Sequence, residues 1–127
     1  MASAAARLAT APDETALRVA PSALNRLKKL GFSAGEITEI VAPRRTLDRR
    51  RKQGERLTLA ESDRVHRLER IMQQADRVLG SVEKANLWLR RPNRALDGAV
   101  PIDLLKSETG AHMVSDILGR IEFGLYS

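Results

Sequence analysis

Apolar residues recur at helical spacing along nearly the whole chain, and strong start and stop signals cut that pattern into short pieces. Leu24, Leu27 and Leu30 line one side of a helix that Gly31 can end. Ser33 followed by Glu36 spells a capping box, with Phe32 and Ile37 at the two positions of a hydrophobic staple. Ile37, Ile40 and Val41 then face inward, and Pro43 forces that helix to stop before it. Thr58 and Glu61 form a second box ahead of a long stripe of Val65, Leu68, Met72, Ala75 and Leu79, with Ile71 and Val78 beside it. Gly80 closes that helix, and Ser81 caps the next, which carries Val82, Ala85, Trp88 and Leu89. "RPNRALDG" reads as a loop from its Pro, Asn, Asp and Gly content. Pro101 begins a short "PIDLLK" helix, and a last helix holds Met113, Val114, Ile117, Leu118, Ile121 and Leu125, interrupted by Gly119 and Gly124. Nothing keeps a period of two for long, so the expected fold class is all-α.

A chain of 127 residues has room for one domain, or two small ones sharing a core. Aromatics make up only 3 % of it, so the core must come from Leu, Ile, Val, Ala and Met, with Trp88 expected inside. Cysteine is absent, which excludes a disulfide scaffold and a thiolate metal site and fits a reducing, cytoplasmic setting. No apolar run approaches the ~18 residues of a membrane span. The opening "MASAAARLATAPDETA" reads as a weakly ordered tail, not a signal peptide. His66 and His112 stand far apart without an organised carboxylate set, so no metal site is expected. Asp97 and Asp103 read as turn and helix-start residues. No phosphate loop, nucleophile–base pair or nucleotide fingerprint is present, which predicts a non-enzyme without a cofactor.

Charge is the feature that points to a function. Net charge is +6, yet Pro43–Leu57, "PRRTLDRRRKQGERL", holds seven cations against Asp48 and Glu55, while residues 95–127 are net acidic. Ser33–Ile40 and Pro43–Gln53, joined by a tight turn, have the layout of a helix-turn-helix. On the second helix, Pro43 suits the first position and Gly54 the stop. Leu47 must face the core, so Arg45, Asp48, Arg49 and Lys52 face away, with Arg44 at the N-terminal rim. Arg50 and Arg51 flank the core side, within reach of phosphates or of carboxylates such as Glu61. The bland reading is a solvated charged helix. Against it, few acidic residues stand where they would neutralise the run. Duplex DNA is favoured over RNA because the segment has no aromatic stacking platform. Arg44, Arg45, Thr46, Asp48, Arg49 and Lys52 are the candidate DNA-binding residues, and a cytoplasmic, nucleoid-associated protein is expected.

Two stretches carry a resemblance to a known family. "GFSAGEITEIVAPRRTLDRRRKQGERLTLAESDRVHRLERI" looks like an Xre-type DNA-binding half. "ANLWLRRPNRALDGAVPIDLLKSETGAHMVSDILGRIEFG" is more specific in its pattern of Trp88-Leu89, Pro92-Asn93, Leu96, Gly98, Pro101, Leu104-Leu105, Gly110, Val114, Leu118 and Gly124. Together they resemble the Xre/MbcA/ParS-like antitoxins, with Asp97 standing where that pattern has a Gly. The resemblance implies four segments: a tail (1–18), a helix-turn-helix domain (19–57), a connecting helix (58–80) and a toxin-binding domain (81–127). It also implies a cognate RES-domain toxin that consumes NAD or transfers ADP-ribose from it. The antitoxin would block that toxin by direct contact and repress its own operon at operator DNA, as a homodimer within a larger complex and without a membrane. Ile121, Gly124, Leu125, Tyr126 and Ser127 are the candidate toxin-binding residues. The alternative is a stand-alone helix-turn-helix regulator whose C-terminal half dimerises.

Overall fold

The computed structural model describes residues 14–124. Among them the order is α1 (Glu14–Leu17), α2 (Ala23–Lys29), α3 (Ala34–Ile40), α4 (Arg44–Gln53), α5 (Leu59–Leu79) and α6 (Val82–Leu89). Two 3-10 segments follow, Arg94–Leu96 and Pro101–Lys106, and α7 (Glu108–Glu122) comes last. The fold is all-helical: a helix-turn-helix bundle joined through the long α5 to a helical C-terminal half.

Both capping boxes form. The Ser33 hydroxyl accepts from the Glu36 N–H at 3.1 Å, and the Glu36 carboxylate accepts from the Ser33 N–H at 2.8 Å. Thr58 and Glu61 repeat the exchange at 3.1 and 2.9 Å. Phe32 and Ile37 are buried, as a staple requires. Gly54 and Gly80 end α4 and α5 in the left-handed conformation, φ 64° and 100°, a geometry that costs an L side chain. Two boundaries differ from the sequence reading. Pro43 sits just outside α4 with an extended ψ of 148°, and its carbonyl accepts the Leu47 N–H, so the helix starts at Arg44. Gly124 terminates α7 instead of interrupting it: the helix ends at Glu122 and Gly124 turns the chain with φ 71°.

Helix α5 is the spine. Its inward stripe, Val65, Leu68, Ile71, Met72 and Ala75, is fully buried, and α1, α2, α6 and α7 pack around it. Val65, Leu68, Ile71 and Met72 each contribute about 1.5–3 kcal/mol by leaving water, and Ala75 less. A single core runs from Leu24 and Leu27 through Ile37, Leu47 and Leu57 to Leu89, Leu105 and Leu118. The segments that the sequence divides into a DNA half and a partner half therefore share one interior.

Residues 14–18, part of the expected tail, are held to this core. Arg18 donates to the carbonyls of Leu57 (2.7 Å) and Arg56 (3.1 Å), and Arg56 donates back to the Arg18 carbonyl at 2.8 Å. The Val19 N–H ends on the buried Ser62 hydroxyl at 2.9 Å. At the other end, Gly110 lies under the second 3-10 segment, where a Cβ would run into the Leu104 carbonyl. Arg67, only 9 % exposed, anchors the same corner by donating to the Leu105 carbonyl and to Glu108, both at 3.1 Å.

Candidate functional site

The turn between α3 and α4 consists of Val41, Ala42 and Pro43, and burial of Val41 and Ala42 fixes the two helices against each other. Arg64 of α5 braces it by donating to the Val41 carbonyl at 3.0 Å. Leu47 is 1 % exposed and pins one side of α4 to the core. The opposite side is cationic, and its arginines divide into three kinds.

Arg50 turns inward. Its Nε and Nη2 donate to the two Glu61 oxygens, each at 3.2 Å, and its Nη1 donates to Glu55 at 2.8 Å. Its side chain is 12 % exposed and that of Glu61 10 %. Burial pushes the Glu61 carboxyl up, but the Arg50 guanidinium and the Thr58 N–H outweigh it and hold the group below its ordinary value. Arg50 is raised, first by Glu61 and then by Glu55. Of the two ends that the sequence leaves open for Arg50, phosphate or carboxylate, the structure fills the second.

Arg44 and Arg51 share Asp48, at 3.8 and 3.4 Å, on the exposed surface. Asp48 thus holds two arginines at the rim of the face, and exposed pairs of this kind are worth little in stability, about 0–1 kcal/mol. Arg45, Arg49 and Lys52 are exposed and make no ion pair among the described residues. With Arg44, Asp48 and Gln53 they line one shallow groove along α4. Thr46, half-buried, sits beside Leu47 at the edge of the face. The face has the chemistry of a recognition helix: a strip of uncompensated cations on a rigid element with its N-terminus exposed.

A second surface lies on the C-terminal half. Ile121 is half-buried and, with Ile117, floors a groove whose other wall is Asn93, Arg94 and Ala95. Asn93 shapes that wall: its side chain accepts the Ala95 N–H at 2.9 Å and its N–H donates to the Ala99 carbonyl at 3.0 Å. Gly124 is exposed at the end of α7, while Leu125, Tyr126 and Ser127 lie outside the described residues. Phe123, 77 % exposed, and Met113, 46 % exposed, stand on the outer side of α7, and sequence reasoning misses both as site residues. The signal is present in the sequence, because both fall off the buried face of the helix at 100° per residue. A Cβ at Gly119 would meet nothing within 4 Å, so close packing inside the chain does not explain that glycine. Trp88, expected in the core, packs one side against it and is half-buried, its other side lining a surface hollow with Leu87 and Pro92.

The two halves of the chain are tied together by Arg90. Its guanidinium donates to both Glu36 oxygens, at 3.1 and 2.8 Å, to the Gly31 carbonyl at 2.9 Å and to the Asn86 side chain at 2.6 Å. The Asn86 amide donates in turn to the Leu30 carbonyl at 3.0 Å, and a Cβ on Gly31 would collide with it. Burial raises the Glu36 carboxyl, but Arg90 and the Ser33 N–H bring it below its ordinary value. Asp97, placed where the resemblance has a Gly, adopts the left-handed conformation at φ 55°, and Asp is among the side chains that tolerate it. No cluster of three or more His, Cys, Asp or Glu that could hold a metal occurs among the described residues, and no described helix is long and apolar enough to cross a membrane.

This geometry defines a helix-turn-helix protein with an added helical half that exposes apolar side chains. Residues 74–124 match the family described as the antitoxin Xre/MbcA/ParS C-terminal toxin-binding domain. The match starts in the last third of α5, earlier than the expected boundary at 81. The chain is 42 % identical over 86 residues to Antitoxin Xre of Yersinia enterocolitica, covering 67 % of this chain and 58 % of that protein. Against Antitoxin Xre of Photorhabdus laumondii the identity is 37 % over 98 residues, covering 76 % and 66 %. The chain thus spans roughly three fifths of the length of these curated relatives. A chain in the crystal structure of the Mycobacterium tuberculosis MbcT–MbcA toxin–antitoxin complex shares the fold, with a TM-score of 0.63 at 24 % identity over 84 % of this chain and 96 % of that one. The chain is thus similar to the Xre antitoxins over the length they share, and its residues 74–124 match the Xre/MbcA/ParS toxin-binding domain. A match to a toxin-binding domain and to antitoxins is consistent with the non-enzyme expected from the sequence.

Proposed function

We propose that the chain is the antitoxin of a type II toxin–antitoxin module, binding a RES-domain toxin through its C-terminal half and operator DNA of its own operon through α4. The observation that carries the reading is the coexistence, on one core, of the uncompensated Arg45–Arg49–Lys52 strip and a segment matching a toxin-binding domain. Arg44, Arg45, Thr46, Asp48, Arg49 and Lys52 are the DNA-binding set, and Asp48 acts by positioning Arg44 and Arg51. Ile121 and Gly124 supply the described part of the toxin surface, continued by Leu125–Ser127. The RES class of the toxin, an NAD-consuming or ADP-ribosylating enzyme, rests on the resemblance in the sequence. A cytoplasmic, nucleoid-associated homodimer within a larger complex is the assembly that fits both tasks.

The DNA arm has a quantitative test. Four cations per subunit, Arg44, Arg45, Arg49 and Lys52, give about eight phosphate contacts in a dimer, and log affinity for the promoter duplex should then fall with log salt at a slope near −7. A slope near zero, or promoter DNA bound no better by the wild type than by Arg45→Ala/Arg49→Ala, contradicts the assignment. The toxin arm is tested by co-purification with the product of the adjacent gene and by measuring its NAD consumption with and without this chain.

A further inference from the structure

We propose a second docking point for the toxin on the far side of the Asn93–Arg94 wall: the hollow formed by Leu79, Leu87, Trp88 and Pro92, rimmed by Lys84, Arg91 and Arg94. The toxin surface it fits presents an apolar side chain surrounded by carboxylates. This assignment rests on the antitoxin reading above and adds the site and the chemistry of the partner to it.

Unpaired charge singles the hollow out. Around α5, α6 and α7 most arginines are spoken for within the chain. Arg67 and Arg70 hold Glu108, Arg77 holds Glu122 and Arg90 holds Glu36, at 2.8–3.4 Å. Lys84, Arg91 and Arg94 make no ion pair among the described residues, and all three line this one hollow. A cluster of unpaired cations repels itself, and a carboxylate-bearing partner removes that repulsion.

Apolar exposure falls in the same place. The large hydrophobic side chains exposed among the described residues are Leu17, Leu87, Met113 and Phe123. The last three lie inside 74–124, the segment matching a toxin-binding domain, and α2, α3 and α4 expose none. Leu87 is 55 % exposed beside the half-buried Trp88, and Trp88, Arg91 and Arg94 are of the two residue types, Trp and Arg, in which interface hot spots are enriched. A nucleic-acid backbone would satisfy the three cations but has no use for Leu87, which is why a protein partner is favoured. The hollow and the α7 groove share Asn93 and Arg94, so one partner can span both. Its two contacts then differ in character, three cations around the hollow here and the apolar floor of Ile117 and Ile121 there.

The test uses the full chain and the protein encoded by the adjacent gene, with affinity measured by surface plasmon resonance or calorimetry. Leu87→Asp should weaken binding by about 30-fold or more, as loss of a hot spot does. Arg91→Glu/Arg94→Glu should weaken it by about tenfold, mainly through the on-rate, and flatten its salt dependence. All three side chains are exposed, so the variants should keep wild-type helicity, and Leu87→Ala supplies a milder step in the same direction. Unchanged toxin affinity in these variants overturns the proposal. So does a shift from dimer to monomer on light scattering, which makes the hollow a self-interface, and so does a loss confined to DNA affinity. Failure of the wild-type chain to bind the adjacent gene product refutes the antitoxin reading itself.

Discussion

Replacing Arg50 should damage the protein differently from replacing any other arginine of α4. Arg50→Met removes three hydrogen bonds, at 3.2, 3.2 and 2.8 Å, and leaves the Glu61 carboxylate in place with its side chain 10 % exposed. Removing one member of a buried pair costs about 3–5 kcal/mol. The Thr58 N–H still serves Glu61, and Glu55 is 41 % exposed and can turn to water, so the low end, about 3 kcal/mol, is expected. With a urea m-value of about 1.5 kcal/mol/M, the unfolding midpoint should drop by about 2 M. Arg49→Ala, which removes no partner, should stay within about 0.5 kcal/mol of wild type. The pH dependence has a definite sign. Glu61 is held below its ordinary value of 4.5, so its contribution is present above that pH and is lost as the pH falls through the lower folded value. The gap between wild type and Arg50→Met should therefore be full at pH 7 and close progressively below about pH 4.5. Arg50→Met/Glu61→Leu should recover part of the loss, because no buried charge is left alone. Equal midpoints for Arg50→Met and Arg49→Ala at pH 7 refute the structural role given to Arg50.

Two glycines of α7 separate structure from binding. Gly110→Ala drives a methyl group into the Leu104 carbonyl and should lower stability by about 1–3 kcal/mol, read as a fall in the urea midpoint. Gly119→Ala meets nothing inside the chain and should stabilise the free protein by up to about 1 kcal/mol through helix propensity, while weakening toxin binding if the partner's backbone approaches there.

Much of this architecture is written in local chemistry. Ser33/Glu36 and Thr58/Glu61 act over three residues, and Gly31, Gly54 and Gly80 act at single positions, so helix starts and stops follow from short words of sequence. Leu47, alone among charged neighbours on α4, has only one direction to face, and that sets the cationic side with it. What does not follow is which cations are consumed. Arg50 and Arg49 are adjacent and chemically identical, and only the position of Glu61, set by the angle between α4 and α5, draws one inward. Arg90 reaches Glu36 across 54 positions, and no local pattern marks that pair. The same holds for the shared core. Segments 19–57 and 81–127 read as separate because their charges and motifs differ, yet α5 carries one apolar stripe that both halves cover. A fragment starting at Thr58 would uncover that stripe.

On the proposed reading, two surfaces built on one core do different work, and paired affinities test this directly. Promoter-DNA and toxin dissociation constants are determined for the wild-type chain and for Arg45→Ala/Arg49→Ala under the same buffer and salt. With Arg45 and Arg49 on phosphate in both subunits of the proposed dimer, the double substitution should weaken DNA binding by more than about tenfold and make its salt slope shallower by about 3 to 4. Toxin affinity should not change, since neither side chain touches the C-terminal half. DNA affinity that survives the double substitution, or toxin affinity that falls in step with it, contradicts this division of labour.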